Sequence, residues 1–157
     1  MFHSIDKPRE ISKKEYKHRE AALRAQLLEA QVQLREAGSP AIVLFAGVDG
    51  AGKGETTNLL QAWMDPHFIV THSFGPPSEE ERERPEYWRY WRDLPPAGQI
   101  ALFLSAWYHR PLLSRVYKES TKAQLDAQLD RILAFERTLT DSGVLLLKFW
   151  MHLDKQG

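Results

Sequence analysis

The chain contains no cysteine. That excludes disulfides, thiol nucleophiles and cysteine-ligated metal centres. It has no surplus of either charge: 21 Lys and Arg stand against 21 Asp and Glu. No global basic field exists to draw in nucleic acid or an anionic membrane, and neither is expected as a partner. No apolar run approaches the roughly 18–20 residues that cross a bilayer. The start of the sequence lacks the charged segment and apolar core of a secretory signal. No internal repeat is visible. A soluble, cytoplasmic protein is the expectation. The 157 residues, 43% hydrophobic and 27% charged, suit one domain with a real core.

The sequence does contain a glycine-rich loop in a telling setting. The apolar run Ala41–Ala46 leads into Gly47-Val48-Asp49-Gly50-Ala51-Gly52-Lys53-Gly54, and a helix-compatible segment follows. Gly-x4-Gly-Lys after a strand and before a helix is the core of a phosphate-binding loop. Gly47, Gly50 and Gly52 can take backbone conformations closed to other residues. The amides of Gly47, Gly50, Ala51, Gly52, Lys53 and Gly54 can then converge on phosphate oxygens at a helix N-terminus. Lys53 brings a mobile positive charge. One position departs from the usual motif. Ser or Thr normally follows the lysine and holds magnesium; here Gly54 stands there, with Thr56 and Thr57 about one turn further on.

Residues 1–11 read as an N-terminal arm. Ser12 and Glu15 suit a capping box opening a leading helix over 12–37. Its apolar stripe is Tyr16, Leu23, Leu27, Ala30, Leu34 and Ala37. Gly38 and Pro40 end it. An α/β core is expected over 41–153. Its strands are Ala41–Ala46, Phe68–His72, Ile100–Trp107 and Val144–Phe149. Helices are expected over Thr56–Met64, from Ser78, from Pro85 and from Thr121. The last should turn Leu125, Leu129, Ile132, Leu133 and Leu139 inward. Strands alternate with helices, and several strands are continuously apolar. That pattern predicts a parallel sheet with helices on both faces, its ligands at the carboxyl ends of the strands.

These segments together resemble the polyphosphate kinase 2 family. The resemblance is carried by residues 47–54, by Trp88-Arg89-Tyr90-Trp91 with Leu94-Pro95-Pro96-Ala97-Gly98, and by Trp107-Tyr108 with Arg110, Arg115 and Val116. It runs from Ile42 to His152. The strings Phe74–Pro85 and Lys148–Leu153 look like the N-terminal half of the tandem-domain subgroup, the polyphosphate:AMP phosphotransferases. The resemblance implies a P-loop kinase-like fold: a three-layer αβα sandwich around a parallel sheet. It implies phosphoryl transfer between inorganic polyphosphate and AMP or ADP, with Mg2+ as cofactor. It also implies a homo-oligomer and a second catalytic domain in the full-length protein. Family members share the glycine at Gly54. They place an Asp at the position of Asp49, implicated in magnesium and phosphate positioning. On that basis Asp49 and Lys53 are the candidate catalytic residues, with Asp49 the candidate metal ligand. Arg89, Arg110 and Arg115 are the candidate polyphosphate or nucleotide contacts.

Two departures from the family stand out. Members read Phe-Asp-Arg-Ser-Trp-Tyr where this chain reads Phe103-Leu104-Ser105-Ala106-Trp107-Tyr108. Leu104 cannot ligate magnesium, which wants oxygen donors. Ser105 cannot supply a guanidinium to developing phosphoryl charge. Losing one charge-stabilising contact costs about 10²–10³ in rate. This half is therefore expected to be degenerate, binding phosphate or serving a structural role. The second departure is length. The resemblance covers a partial domain, 12–157, ending before the family's lid, further helices and last strand.

Other residues carry weaker signals. Arg82 and Arg84 alternate with Glu79, Glu80, Glu81 and Glu83 and read as a solvated helix face. Trp88, Trp91 and Trp107 read as core rather than as base-stacking platforms. The six histidines show no metal-binding spacing. A nucleoside monophosphate kinase of the thymidylate kinase type, using ATP, is the alternative reading. It shares the loop but continues with Ser or Thr after the lysine and carries Asp-Arg after the third strand.

Overall fold

The computed structural model describes residues 11–152. Most of the expected arm, and residue 153 at the end of the expected core, lie outside them. Four strands run in chain order: β1 Ala41–Gly47, β2 Ile69–Ser73, β3 Ile100–Leu104 and β4 Leu145–Met151. They form one parallel sheet in the order β2-β3-β1-β4, with Phe45 opposite Leu104 on one side and Phe149 on the other. Among the described residues six α-helices connect or precede them, besides a short 3-10 turn at Pro66–Phe68: α1 Lys13–Glu36, α2 Lys53–Trp63, α3 Glu79–Glu83, α4 Trp88–Arg92, α5 His109–Val116 and α6 Lys122–Asp141.

The central strands are apolar at every position because both their faces are covered. Side chains alternate across the sheet. Ala41, Val43 and Phe45 meet Leu27 and Leu34 of α1 and Leu60 of α2. Ile42, Leu44, Ala101 and Phe103 meet Ile132, Phe135 and Leu139 of α6, with Tyr90 of α4 at the margin. This is the expected three-layer αβα sandwich. The cover is incomplete at the β4 edge. Leu145, Leu147 and Phe149 point to the α1–α2 side and remain 44–51% exposed.

Local signals set the helix ends. Ser12 accepts the amide of Glu15 at 3.1 Å, while the Glu15 carboxylate pairs loosely with Arg19 at 3.8 Å. Full capping boxes open α3 at Ser78 and α6 at Thr121.

Several expectations need correction. α2 begins at Lys53, one turn before Thr56, because the phosphate loop feeds directly into it. β3 stops at Leu104 rather than Trp107: Ser105 turns left-handed, with φ 53°, and sends its amide to Phe45 O. α5 was not expected, because Pro111 hides a helix that tolerates proline in its first turn. On α6, Leu133 is 54% exposed, and Phe135 and Glu136 turn inward beside Ile132. Tyr16 and Leu23 of the α1 stripe are exposed, and Gln31 lies buried between Leu27 and Leu34. The Gln31 side chain donates to Asp65 O at 3.0 Å and accepts from Asp65 N at 2.8 Å, tying α1 to the end of α2.

Candidate functional site

The phosphate loop lies where β1 ends. Gly47 is the last residue of the strand, with φ 124°, and sits directly beside Met151 of β4. A Cβ there would lie 1.7 Å from the Met151 carbonyl oxygen, so only glycine fits. Val48 then donates its amide to the same carbonyl at 3.1 Å, fixing where the loop leaves the sheet. Gly50 and Gly52 also take positive φ, and Gly52 caps α2 without a side chain. The first amides of α2 have no intrahelical acceptor and face outward from its N-terminus, an arrangement that favours an anion.

Lys53 is the first residue of α2, yet it is only 8% exposed. Its ammonium donates to Val48 O at 2.6 Å, Gly47 O at 2.9 Å and Asp49 Oδ1 at 3.3 Å. Those three acceptors match its three N–H groups. Two are fixed backbone carbonyls. The third belongs to an aspartate whose side chain is 92% exposed. The structure thus brings Asp49 and Lys53 together as an ion pair within the loop.

The donor set does not fit a magnesium ion. In P-loop proteins the metal is held by a hydroxyl after the lysine and a carboxylate on a neighbouring strand. Gly54 offers no hydroxyl, as in the family this chain resembles, so the metal there would depend on carboxylates. Thr56 and Thr57 lie further into α2, donate to Gly52 O and Gly54 O at 2.8 Å each, and Thr57 is 2% exposed. The tip of the neighbouring strand is Leu104, which packs into the apolar cluster with Met151 and Leu60. Asp49 is the remaining carboxylate of the loop, and it faces the lysine. Among the described residues no group of three His, Cys, Asp or Glu could hold a metal ion.

A cleft of about 1220 Å³ opens one strand over, beyond the tips of β2 and β3. Arg89, Arg110, Arg131, Ser105 and Tyr87 are among its lining residues, and the phosphate loop is not. The three candidate arginines fare differently. Arg89 is engaged internally: it donates to Gly75 O at 3.0 Å, lies 3.5 Å from Glu81 and covers the Phe74 ring at 5.2 Å. Arg110 is exposed on the cleft wall, and Arg115 is exposed outside it. Neither forms an ion pair among the described residues. Arg84 pairs with Glu80 at 3.2 Å on the solvated face of α3. Arg131 reaches Glu86 at 3.0 Å, linking α6 to the segment before α4.

The tryptophans also separate. Trp107 is core, 3% exposed. Trp88 meets the guanidinium groups of Arg84 and Arg92, at 5.3 and 5.1 Å from its ring. Trp91 is 43% exposed, with its ring edge-on to Phe135. Tyr87 holds a left-handed conformation, φ 67°, and stacks on Phe135 at 4.6 Å; burial pushes its hydroxyl up to about 12. Sequence reasoning missed Glu136, a buried carboxylate joining Trp107 to Lys148. A lone charge within the α6 apolar stripe was its one signal.

Comparison with known proteins agrees with this architecture. The chain is 47% identical over 157 residues to a polyphosphate:AMP phosphotransferase of Pseudomonas aeruginosa, covering 99% of this chain and 32% of that protein. It superposes on the crystal structure of a protein assigned as polyphosphate kinase 2 from Pseudomonas aeruginosa PA01 with a TM-score of 0.92 and 44% identity, covering 99% of this chain and 34% of the other. Polyphosphate kinase 2 from Arthrobacter aurescens TC1 gives a TM-score of 0.85 at 28% identity, covering 94% of this chain and 54% of the other. The chain spans about a third of the length of the curated relative it matches. The family model for polyphosphate kinase 2 matches residues 10–157, and the chain belongs to that family.

Proposed function

We propose that this chain is the phosphate-binding portion of a polyphosphate–nucleotide phosphotransferase and does not itself turn over. The observation that carries this reading is the pairing of an intact phosphate loop with a β3 tip that carries neither carboxylate nor guanidinium. Gly47, Gly50 and Gly52 hold the loop open-handed, and Lys53 stands at its centre. Leu104, one strand away, turns into the apolar cluster.

On this reading the end of an inorganic polyphosphate chain sits on the loop amides. The nucleotide, AMP by likeness to the Pseudomonas aeruginosa relative, occupies the cleft beyond β3. Arg110 supplies charge from the cleft wall, and Arg115 meets the more distant part of the polyanion. Arg89 shapes the wall by holding Gly75. The chemistry of the longer protein comes from a second, intact domain. The lost contacts matter because phosphoryl transfer relies on charge stabilisation more than on covalent chemistry. Each missing one costs about 10²–10³ in rate.

The test is phosphoryl transfer from polyphosphate to AMP by this chain, beside a variant carrying Leu104→Asp and Ser105→Arg. No turnover by the parent is expected. Robust turnover by the parent would overturn the degenerate reading.

A further inference from the structure

The disagreement between the loop and a magnesium ion leads further. It rests on the reading of the loop as an anion seat, and it concerns what that seat takes. We propose that the loop binds metal-free polyphosphate, and that Asp49 is a built-in competitor which the incoming phosphate displaces from Lys53.

The argument begins with the three acceptors of the ammonium. Gly47 O and Val48 O, at 2.9 and 2.6 Å, are backbone carbonyls at the end of β1. Gly47 is locked against Met151 and Val48 donates to Met151 O, so neither carbonyl can withdraw without disturbing the sheet. Asp49 is the longest contact, at 3.3 Å, and its side chain is 92% exposed. Exchanging that contact for a phosphate oxygen costs least, because the released carboxylate is already in water. The lysine keeps two anchors and changes one partner. Its charge stays compensated throughout, as a nearly buried ammonium requires.

This exchange inverts the usual role of a loop carboxylate. A P-loop aspartate that shares a metal with the phosphate gains from the metal and supports the anion. Among the described residues no second carboxylate stands beside Asp49 to share a cation, and the tip of β3 is Leu104, which packs into the apolar cluster. A lone carboxylate beside the anion repels it. Removing its charge must then strengthen binding, where a metal-sharing aspartate would weaken it on removal.

Titration calorimetry of the 157-residue chain with sodium tripolyphosphate, in EDTA and in magnesium, reads this directly. In EDTA the parent binds at least as tightly as in magnesium. Asp49→Asn binds about 3–10-fold tighter in EDTA, the size of a like-charge contact near the surface. Lys53→Met binds at least about tenfold weaker, the size of a lost charge-assisted hydrogen bond. Circular dichroism confirms that each variant is folded. Binding that requires magnesium, or that weakens in Asp49→Asn, overturns the inference while leaving the anion seat standing. No binding in either condition removes the seat itself and the inference with it.

Discussion

Glu136 accepts the indole N–H of Trp107 at 3.0 Å, joining α6 to the residues that follow β3. The carboxylate is 6% exposed, and its other oxygen lies 2.7 Å from the Lys148 ammonium on β4. Lys148 also donates to the Tyr108 hydroxyl at 3.3 Å. One buried side chain therefore ties three elements together near the tip of β3. Glu136→Ala leaves the indole N–H buried without a partner, a loss of about 1–3 kcal/mol. Lys148 is half-exposed and can turn to water, so its charge is not stranded. A fall in Tm of about 2–12 °C is expected from thermal melts. Glu136→Gln keeps an acceptor for the indole and loses less. Equal losses in the two variants would show that the indole bond contributes nothing.

The same region sets an alkaline limit on stability. Burial raises Tyr87, Tyr90 and Tyr108 above the usual 10.0, Tyr87 to about 12. Burial alone would lower Lys148, but its hydrogen bonds to Glu136 and Tyr108 outweigh that and leave it raised. A raised value in the fold means that the native state holds its proton when the unfolded chain has released it. Stability is then full below about pH 10 and falls as pH rises through the folded values. Denaturant melts between pH 9 and about 12 should show that loss, and Tyr87→Phe should lessen it. A flat profile over that range contradicts the burial of these rings.

What the sequence reveals and what it hides divide along physical lines. The loop at residues 47–54, the caps at Ser78 and Thr121 and the apolar strand β1 are local patterns, and each forms where its residues stand. Gln31, Glu136 and Arg89 are polar, so their type argues for the surface. Each turns inward because a distant segment supplies a partner: Asp65 for Gln31, Trp107 for Glu136, Gly75 for Arg89. The ion pair of Lys53 with Asp49 was within reach of the sequence, at spacing i, i+4. The two carbonyls that complete it were not, because they depend on how β1 ends against β4.

Arg89 and Arg110 should separate in a binding experiment. Arg89 is wedged between Gly75 O, Glu81 and the Phe74 ring. A lysine there loses the planar stacking and the fork. Arg89→Lys should lower stability by about 1–2 kcal/mol, measured by urea melts. Its affinity for tripolyphosphate should change less than about twofold, since its side chain is mostly buried and both terminal nitrogens face Gly75 O and Glu81. Arg110→Ala should leave stability unchanged within about 0.5 kcal/mol. It should weaken binding of a longer polyphosphate and flatten its salt dependence. Reversal of the two phenotypes would exchange the roles given to these residues.

The two glycines that flank the loop should respond in opposite directions to the same methyl group. At Gly47 the added Cβ meets the Met151 backbone at 1.7 Å, and φ 124° is closed to alanine. No side-chain rotation relieves that contact. Either the end of β4 leaves β1, breaking the bond from Val48 N to Met151 O, or the loop moves away from α2. Gly47→Ala should therefore cost more than about 3 kcal/mol and abolish anion binding, read by melts and calorimetry. At Gly54 nothing lies within 4 Å of the added Cβ, and the residue is already helical in α2. Alanine lowers the entropy of the unfolded chain there without strain. Gly54→Ala should stabilise the fold by about 0.5 kcal/mol and leave tripolyphosphate affinity intact. If Gly54→Ala destroyed binding, the anion would have to approach through the space that glycine leaves open. The contacts would then extend past the loop into the first turn of α2.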